Sequence, residues 1–195
     1  HKYELLGESV DDAIGESFDK VAKLINLPYP GGPEIEKLAI KGNYNKYILP
    51  HPLNKKENTN FSFSGIKTAV SLIVKKQKKI TLNFKQDLAA SFQKKITIIL
   101  ENKLEKILKL INKNNIKIKN IAIVGGVAAN LEIRKTLSSN TKLNQYNIIY
   151  PPIELCGDNA AMIGLVGQYK FKNKIKSDYF FKANPRLSVD MNKKL

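Results

Sequence analysis

Two hydrophobic patterns alternate along the 195-residue chain. Short apolar runs predict strands over residues 2–7, 120–124 and 147–150. Apolar residues spaced three or four apart predict amphipathic helices, the longest over about 84–112 and the others after Ser9, Pro33, Gly65 and Asn130 and over about 158–171. Because strands and helices alternate, the pattern predicts an α/β fold, with a helical insertion over about 65–112.

The first helix has the clearest amphipathic pattern. Ser9 stands three residues before Asp12, a spacing typical of a capping box, so we expect the helix to begin there and to run to about Ile25. The apolar face should lie in the core and carries Ile14, Phe18, Val21 and Ile25. The opposite face, with Asp12, Glu16 and Asp19, is either solvated or packed closely against something. Gly15 at its edge favours close packing, since an interior glycine weakens a helix by roughly 1 kcal/mol.

The helix over about 158–171 is apolar almost all round in its first three turns, so we expect it to be buried. The lysine-rich segment over about 172–195 reads as a basic tail. No apolar run is long enough to cross a membrane. We therefore interpret residues 1–195 as one domain or part of a larger one.

Charge and cysteine content narrow the class of protein. The net charge is +16, yet only Arg134 and Arg186 among the 33 basic residues are arginines, the side chain that phosphate-binding sites favour. The basic surface is therefore either a solvated lysine surface or one that attracts RNA. Cys156 is the single cysteine, so no internal disulfide is possible, and with no export signal at the start we expect a cytoplasmic protein.

Two places where a strand meets a helix carry candidate chemistry. Gly125 and Gly126 follow the strand at 120–124, and Asn130 follows them at a helix start. Glycine lets a backbone approach a flat base or a phosphate, and the carboxamide of Asn130 can donate and accept, although an ordinary tight turn explains the pattern as well. The spacing fits neither a P-loop nor a dinucleotide-binding fingerprint.

The second place is the stretch CGDNAAM at 156–162. Asp158 is either a helix N-cap or, at the mouth of a parallel sheet, a metal ligand or general base. His1 and His51 show no metal-binding spacing, and Cys156 has no histidine nearby that would activate it as a nucleophile.

Four stretches together resemble the bacterial tRNA N6-adenosine threonylcarbamoyltransferase family. They run in the family's order across residues 3–188 and read DDAIGESFDKVAKLINLPYPGGPEIEKLA, FSFSGIKTAV, VGGVAANLEIRKTL and YPPIELCGDNAAMIG. That family belongs to the actin-like ATPase superfamily, which shares a ribonuclease H-like fold. The resemblance implies that this chain is the second lobe, with the helical insertion, and that the first lobe and the first two strands of the second lobe are missing.

The resemblance implies a reaction and a set of partners. Members of the family transfer a threonylcarbamoyl group from threonylcarbamoyl-AMP to the N6 amine of the adenosine next to the anticodon, in tRNAs that read ANN codons. They use one divalent metal ion, usually assigned as iron or zinc. Their modification complex includes an inactive paralogue and a small P-loop ATPase.

The matching motifs imply roles for seven residues, none of them catalytic in the sense of a nucleophile, acid or base. Asp19 and Glu36 would lie at the ribose, and Gly32 would approach the nucleoside. Gly125, Gly126 and Asn130 would contact the adenine. Asp158 would be a metal ligand.

The chain also departs from the family's pattern. The family's metal-binding histidine pair and its Ser-Gly-Gly-His-Thr type loop would both precede residue 1, so we expect that the chain alone does not transfer the group. A split or frameshifted gene would explain this. Two alternatives stay open: a non-catalytic fragment or binding module of such a complex, and a small-molecule carbamoyltransferase or kinase of the same superfamily.

Overall fold

The computed structural model describes residues 3–55, 57–176, 179–180 and 182. The chain forms two compact units. The larger unit covers Leu6–Cys156, and the smaller one combines His1–Leu5 with Gly157–Leu195. Within the described residues, no helix is both long and apolar enough to span a membrane. The predicted basic tail over 172–195 lies mostly outside the described residues.

The larger unit is helical in its first two thirds and mixed after that. Its elements, in chain order, are α1 (Ile14–Leu24), α2 (Gly31–Ala39), α3 (Ser64–Lys75), α4 (Leu82–Lys113), β1 (Asn120–Ala122), α5 (Leu131–Ser139) and β2 (Asn147–Ile149), with 3₁₀ turns at Gly126–Ala129, Thr141–Leu143 and Ile153–Leu155. The smaller unit contains α6 (Ala160–Lys172). Over the described residues, the predicted combination of helices with a parallel sheet is confirmed.

The core of the larger unit lies between α4 and the three preceding helices. Phe18 of α1 packs edge-on against Phe92 of α4, with ring centroids 5.0 Å apart. Of the apolar face expected on the first helix, Phe18, Val21 and Ile25 are buried and Ile14 is half-buried. The 32 residues of α4 form one uninterrupted helix whose N-terminus is capped by the Thr81 side chain. The prediction of a helix over 84–112 is therefore confirmed, with two more residues at its start.

A buried lysine fixes the irregular segment between α2 and α3. Lys103 of α4 is fully buried, and its Nζ donates to the carbonyl oxygens of Leu53 and Asn58 at 2.7 and 2.8 Å. Burial lowers the pKa of Lys103, and the charge of the neighbouring Lys106 adds to the effect. Because a buried ammonium is costly without acceptors, these carbonyl groups and the lysine depend on each other.

β1 and β2 form a parallel pair. Asn120, Ile121 and Ala122 face Asn147, Ile148 and Ile149 in register. α5 lies between the two strands in sequence and provides the crossover connection that parallel pairing requires. The strands predicted at 120–124 and 147–150 are thus confirmed, each shorter than expected.

The strand predicted at 2–7 is wrong for its described residues, since 3–7 form no strand. The nearest pairing is an isolated parallel bridge between Ser9 and Phe61, with the Val10 amide donating to the Phe61 carbonyl at 3.0 Å. An apolar run becomes a strand only where another strand offers free backbone groups. In the described part of this segment, the bridge at Ser9 is the single strand-like pairing.

The helix start predicted at Ser9 is also wrong. α1 begins at Ile14, and the Ser9 hydroxyl donates to the Asp12 carbonyl at 2.7 Å within a turn before the helix. Asp11 in that turn reaches α3: its carboxylate accepts from the Phe63 amide at 2.8 Å and from the Ser64 hydroxyl at 2.7 Å. Asp11 therefore binds the start of α3, a different helix from the one that the spacing of Ser9 and Asp12 indicates.

The expected burial of the last helix is wrong as well. Every residue of α6 is exposed, including Ile163 at 76%, Leu165 at 68% and Phe171 at 85%. An apolar sequence shows that a helix favours an apolar neighbour, but it does not supply one. The pattern therefore predicted the helix correctly and its burial incorrectly.

Candidate functional site

Asp19 joins α1 to the start of α2. Its Oδ1 accepts a hydrogen bond of 2.7 Å from the backbone amide of Gly31. A Cβ on Gly31 would lie 2.6 Å from the Cβ of Ala22 and 2.8 Å from the Cα of Asp19, so the two helices touch through their backbones. No donor among the described residues is bonded to Oδ2 of Asp19, which leaves this oxygen able to accept from a ligand.

Gly32 follows directly and has the opposite surroundings. A Cβ built on Gly32 would meet no atom within 4 Å, so the protein itself gives no steric reason for a glycine. The open space lies one residue from the amide that holds Asp19. A ligand that uses Oδ2 of Asp19 could therefore approach the bare backbone at Gly32.

Glu36 connects α2 to the beginning of α5. Its Oε1 accepts a hydrogen bond of 2.6 Å from the backbone amide of Leu131. Leu131 is the first residue of α5, so this amide is one of the donors that a helix leaves without an internal partner. The positive end of the helix dipole also stabilises the negative charge of the carboxylate.

Gly125 and Gly126, which follow β1, differ in whether their backbone conformation requires a glycine. Gly125 has φ of +88°, a conformation that favours glycine, and it precedes the 3₁₀ turn at Gly126–Ala129. Gly126 has no such requirement. A Cβ on either residue would meet no atom within 4 Å, so this turn presents bare backbone to open space.

Asn130 caps α5 and binds α4 at the same time. Its Oδ1 accepts from the Ile133 amide at 3.0 Å, and its Nδ2 donates to Oε1 of Gln93 at 2.9 Å. Asn130 is 7% exposed and Gln93 is 6% exposed. The sequence predicted the helix start at Asn130 but gave no signal for Gln93, which lies 37 residues away.

α1 lies beside the glycine turn. A Cβ on Gly15 would be 3.8 Å from Cγ2 of Val127, an ordinary van der Waals distance. The close packing expected at Gly15 is therefore present as a normal contact, with room for an alanine. α1 and the turn that follows β1 are therefore in contact.

The acidic face of α1 divides into two parts. Asp12 and Glu16 both bind the Nζ of Lys20, at 2.6 and 2.7 Å. The hydrogen bond to Asp12, followed by that to Glu16, raises the pKa of Lys20. Asp19 takes no part in this cluster and binds α2 instead. Of the two interpretations of the acidic face, a solvated surface therefore fits Asp12 and Glu16, and close packing against another element fits Asp19.

Arg134 of α5 is a structural residue that the sequence did not indicate. Its guanidinium donates to the carbonyls of Ala128 and Pro151, the latter at 2.7 Å, and lies 4.9 Å from the ring centroid of Tyr150. It also donates to Sγ of the buried Cys156 at 3.2 Å. One side chain therefore holds the segments that follow β1 and β2 to each other.

A cleft of about 750 Å³ opens where α2, α4 and α5 meet. Its lining includes Pro33, Glu36, Tyr44, Ala90, Gln93 and Leu131. Lys37, Lys94 and Lys135 also line it. The cleft is large enough for a nucleoside and contains the side chain that binds Asn130. Its lining includes Glu36 but not Asp19, Gly32, Gly125, Gly126 or Asn130.

Asp158 belongs to the smaller unit, and the other six candidates belong to the larger one. Its reading as the N-cap of the last helix is wrong, because Asn159 caps α6 by accepting from the Met162 amide at 3.2 Å. Within the described residues, no group of three His, Cys, Asp or Glu side chains is placed to hold a metal ion. A lone carboxylate does not make a site for iron or zinc.

Comparison with known proteins identifies relatives over nearly the whole chain. A family model for tRNA N6-adenosine threonylcarbamoyltransferase matches residues 1–165. Curated proteins of that name from Rickettsia massiliae and Rickettsia bellii are 47% and 44% identical to this chain, each over 97% of its length and 56% of their own. One from Pelagibacter ubique is 49% identical over 96% of this chain and 52% of its own length. The chain thus spans about half the length of the curated relatives it matches.

Proposed function

Because the chain belongs to the tRNA N6-adenosine threonylcarbamoyltransferase family, we propose that it supplies the nucleoside-binding part of an enzyme that modifies tRNA. The threonylcarbamoyl group would pass from threonylcarbamoyl-AMP to the adenosine next to the anticodon in tRNAs that read ANN codons. The N6 nitrogen forms a bond to the carbamoyl carbon and gives up one proton. The bond from that carbon to the phosphate oxygen breaks, and AMP leaves.

The arrangement of Asp19 and Gly32 is the observation that carries this proposal. Gly31 holds one carboxylate oxygen of Asp19, and the other oxygen is left for a donor. The hydroxyl groups of a ribose are such donors, and a carboxylate binds them with charge-assisted hydrogen bonds. The open space at Gly32 leaves room for the sugar beside that carboxylate.

The bare turn after β1 suits the purine. The space at Gly125 and Gly126 lets a flat ring lie against the backbone without meeting a side chain. Asn130 is held in one orientation by Ile133 and Gln93, so it would meet the adenine without rearranging. The hydrogen bond from Leu131 to Glu36 keeps α2, and with it Gly32, next to this turn.

We further propose the wider setting of the site. The chain would be the second lobe of an actin-like ATPase fold in a cytoplasmic enzyme that works with an inactive paralogue and a small P-loop ATPase. Asp158 would be one ligand of a divalent iron or zinc ion, whose other ligands lie outside the described residues.

Calorimetric titration of the chain with AMP tests the nucleoside site. We expect Asp19→Asn to weaken AMP binding about tenfold, because a charge-assisted hydrogen bond to ribose becomes a neutral one. Asp12→Asn is the matched control on the same helix, since Asp12 pairs with Lys20, and it should leave binding unchanged. Deoxy-AMP that lacks a ribose hydroxyl should bind more weakly to the wild type but not to Asp19→Asn. If the wild-type chain does not bind AMP at millimolar concentration, the proposal is contradicted.

A further inference from the structure

The cleft where α2, α4 and α5 meet is a surface distinct from the candidate nucleoside site. Its volume is about 750 Å³, and of the seven candidate residues Glu36 alone contributes to its lining. Large side chains are exposed along it, with Ile40 at 79%, Leu131 at 58% and Tyr44 at 54%. Exposed apolar groups gathered in one concave surface indicate that the surface binds something.

Tyr44 gives this cleft an accessible aromatic ring. The Nζ of Lys94, which comes from α4, lies 5.9 Å from the centroid of that ring, within the range of a cation–π contact. An exposed ring with a cation beside it is the combination that binds single-stranded nucleic acid. The ring stacks on a base, and the cation pairs with a phosphate.

The lysines of the cleft differ in whether they already have an acidic partner. Lys37 pairs with Glu34 at 2.7 Å. Lys94 and Lys135 form no ion pair with a carboxylate in the part of the chain that the structure describes. These two ammonium groups are therefore able to pair with the anionic groups of a ligand.

The two carboxylates of the lining are engaged at the start of α5. Glu36 accepts from the Leu131 amide at 2.6 Å, and Oε1 of Glu132 accepts from the Thr136 hydroxyl at 3.5 Å. The positive end of the helix dipole offsets negative charge at this place. The lysines are thus the charges that remain for a ligand, and the net charge of +16 on the whole chain also favours an anionic one.

We propose that this cleft binds one unpaired nucleotide of the tRNA substrate, with the base stacked on Tyr44 and its phosphates paired with Lys94 and Lys135. The inference rests on the proposed function, which makes tRNA the substrate, and it adds a contact outside the site where AMP binds. The nucleotide must be unpaired, because a base inside a duplex has both faces covered. Stacking on one ring is tolerant of sequence, so the cleft contributes affinity for RNA and does not select the modified adenosine.

Variants of Tyr44 test the stacking. Fluorescence anisotropy of a labelled single-stranded oligouridylate, which presents no adenine to the nucleoside site, measures RNA binding by the chain. We expect Tyr44→Leu to bind this RNA about tenfold more weakly and Tyr44→Phe to bind it as the wild type does, because the ring makes the contact. Calorimetric titration should give the same affinity for AMP in all three proteins. Wild-type RNA affinity in Tyr44→Leu would overturn the proposal.

Variants of the lysines test where the phosphates lie. Each phosphate contact that is removed should reduce the slope of log affinity against log salt concentration by about 1. We expect this change for Lys94→Ala and for Lys135→Ala. Lys109→Ala is the matched control, since Lys109 is exposed on the same helix as Lys94 and lies outside the cleft lining. The same slope for Lys94→Ala and Lys109→Ala would overturn the phosphate contact.

Competition and AMP binding separate the remaining outcomes. If poly-glutamate of equal charge displaces the labelled RNA as readily as unlabelled oligouridylate does, the cleft takes an acidic peptide and the proposal is overturned. A wild-type chain that binds AMP but not RNA would overturn the cleft site alone. A wild-type chain that binds RNA through Tyr44 but does not bind AMP would support the cleft site and contradict the nucleoside site.

Discussion

The carboxylate of Glu36 and the backbone amide of Leu131 form a 2.6 Å hydrogen bond between residues 95 positions apart in sequence. The bond joins the helix that carries Gly32 to the helix that begins after Asn130. Each helix supplies part of the candidate nucleoside site. The geometry of that site therefore depends on a contact that is itself outside any regular strand or helix pairing.

Removing this contact should destabilise the larger unit. We expect Glu36→Ala to lower the free energy of unfolding by about 1–2 kcal/mol, because the amide at the start of α5 loses its acceptor. Glu34→Ala is the control, since the ion pair of Glu34 among the described residues is with the exposed Lys37 on the same helix. Pulse proteolysis in a urea series measures both. Equal losses for the two variants would show that the bond to Leu131 contributes nothing.

Gly31 and Gly32 should respond differently to the same substitution. Gly31→Ala places a Cβ 2.6 Å from Ala22 and should lower the unfolding midpoint in urea markedly. Gly32→Ala places its Cβ in open space, so the midpoint should hold while AMP binding weakens. Urea unfolding and calorimetric titration of both variants check the pair. A folded Gly32→Ala chain with wild-type affinity for AMP would contradict the assigned approach of the ligand.

Sequence patterns predicted the helices and strands of this fold better than the long-range contacts between their side chains. The periodic apolar residues of α4 and the apolar runs of β1 and β2 determine local structure, and these predictions are confirmed. Gln93, Arg134 and Lys103 bind residues far away in sequence, and no local pattern reports such contacts. The helix start predicted at Ser9 was wrong for a related reason, because a capping-box spacing does not show whether the serine will bond a helix or, as here, a turn before it.

Replacing the buried Lys103 should destabilise the fold more than replacing its neighbour Lys106. We expect Lys103→Ala to lower the free energy of unfolding by about 2–3 kcal/mol, since two carbonyl groups lose a charged donor and a cavity is left. Lys106→Ala removes a partly exposed lysine that also binds loop carbonyls, at 3.3 and 2.9 Å, and should cost less than about 1 kcal/mol. Urea denaturation of the two variants gives the comparison. The reverse order would contradict the reading of Lys103 as the residue that fixes the loop.

The contact between Asp11 and α3 should give the chain a specific acid sensitivity. Burial raises the pKa of Asp11, but hydrogen bonds from Ser62, Ser64 and Phe63 outweigh it and lower the pKa to about 2. A carboxylate whose pKa is lower in the folded state stabilises the fold above the usual value of 3.8, and this contribution is lost as the pH falls towards 2. The difference in urea midpoint between wild type and Asp11→Asn should be constant above pH 5 and shrink between pH 4 and 2. A constant difference over that range would contradict the assignment.

The chain alone should not retain iron or zinc. Asp158 is a single carboxylate, and structural or catalytic zinc sites use at least three protein ligands. We expect elemental analysis of the purified, dialysed chain to give well under one metal ion per chain, and Asp158→Ala to change nothing. One tightly held ion per chain, lost in Asp158→Ala, would show that the described residues provide more ligands than their arrangement indicates.

α4 runs without a break over 32 residues, and its far end is tied to the region before β2 by a hydrogen bond of 3.2 Å from Asn112 to the Tyr146 hydroxyl. Gln93 lies 20 residues before the end of the helix at Lys113, which is about 30 Å along its axis. One unbroken helix therefore connects the side chain that holds Asn130 with the segment that leads into the parallel strand pair, so a substitution that shifts α4 would disturb both regions together.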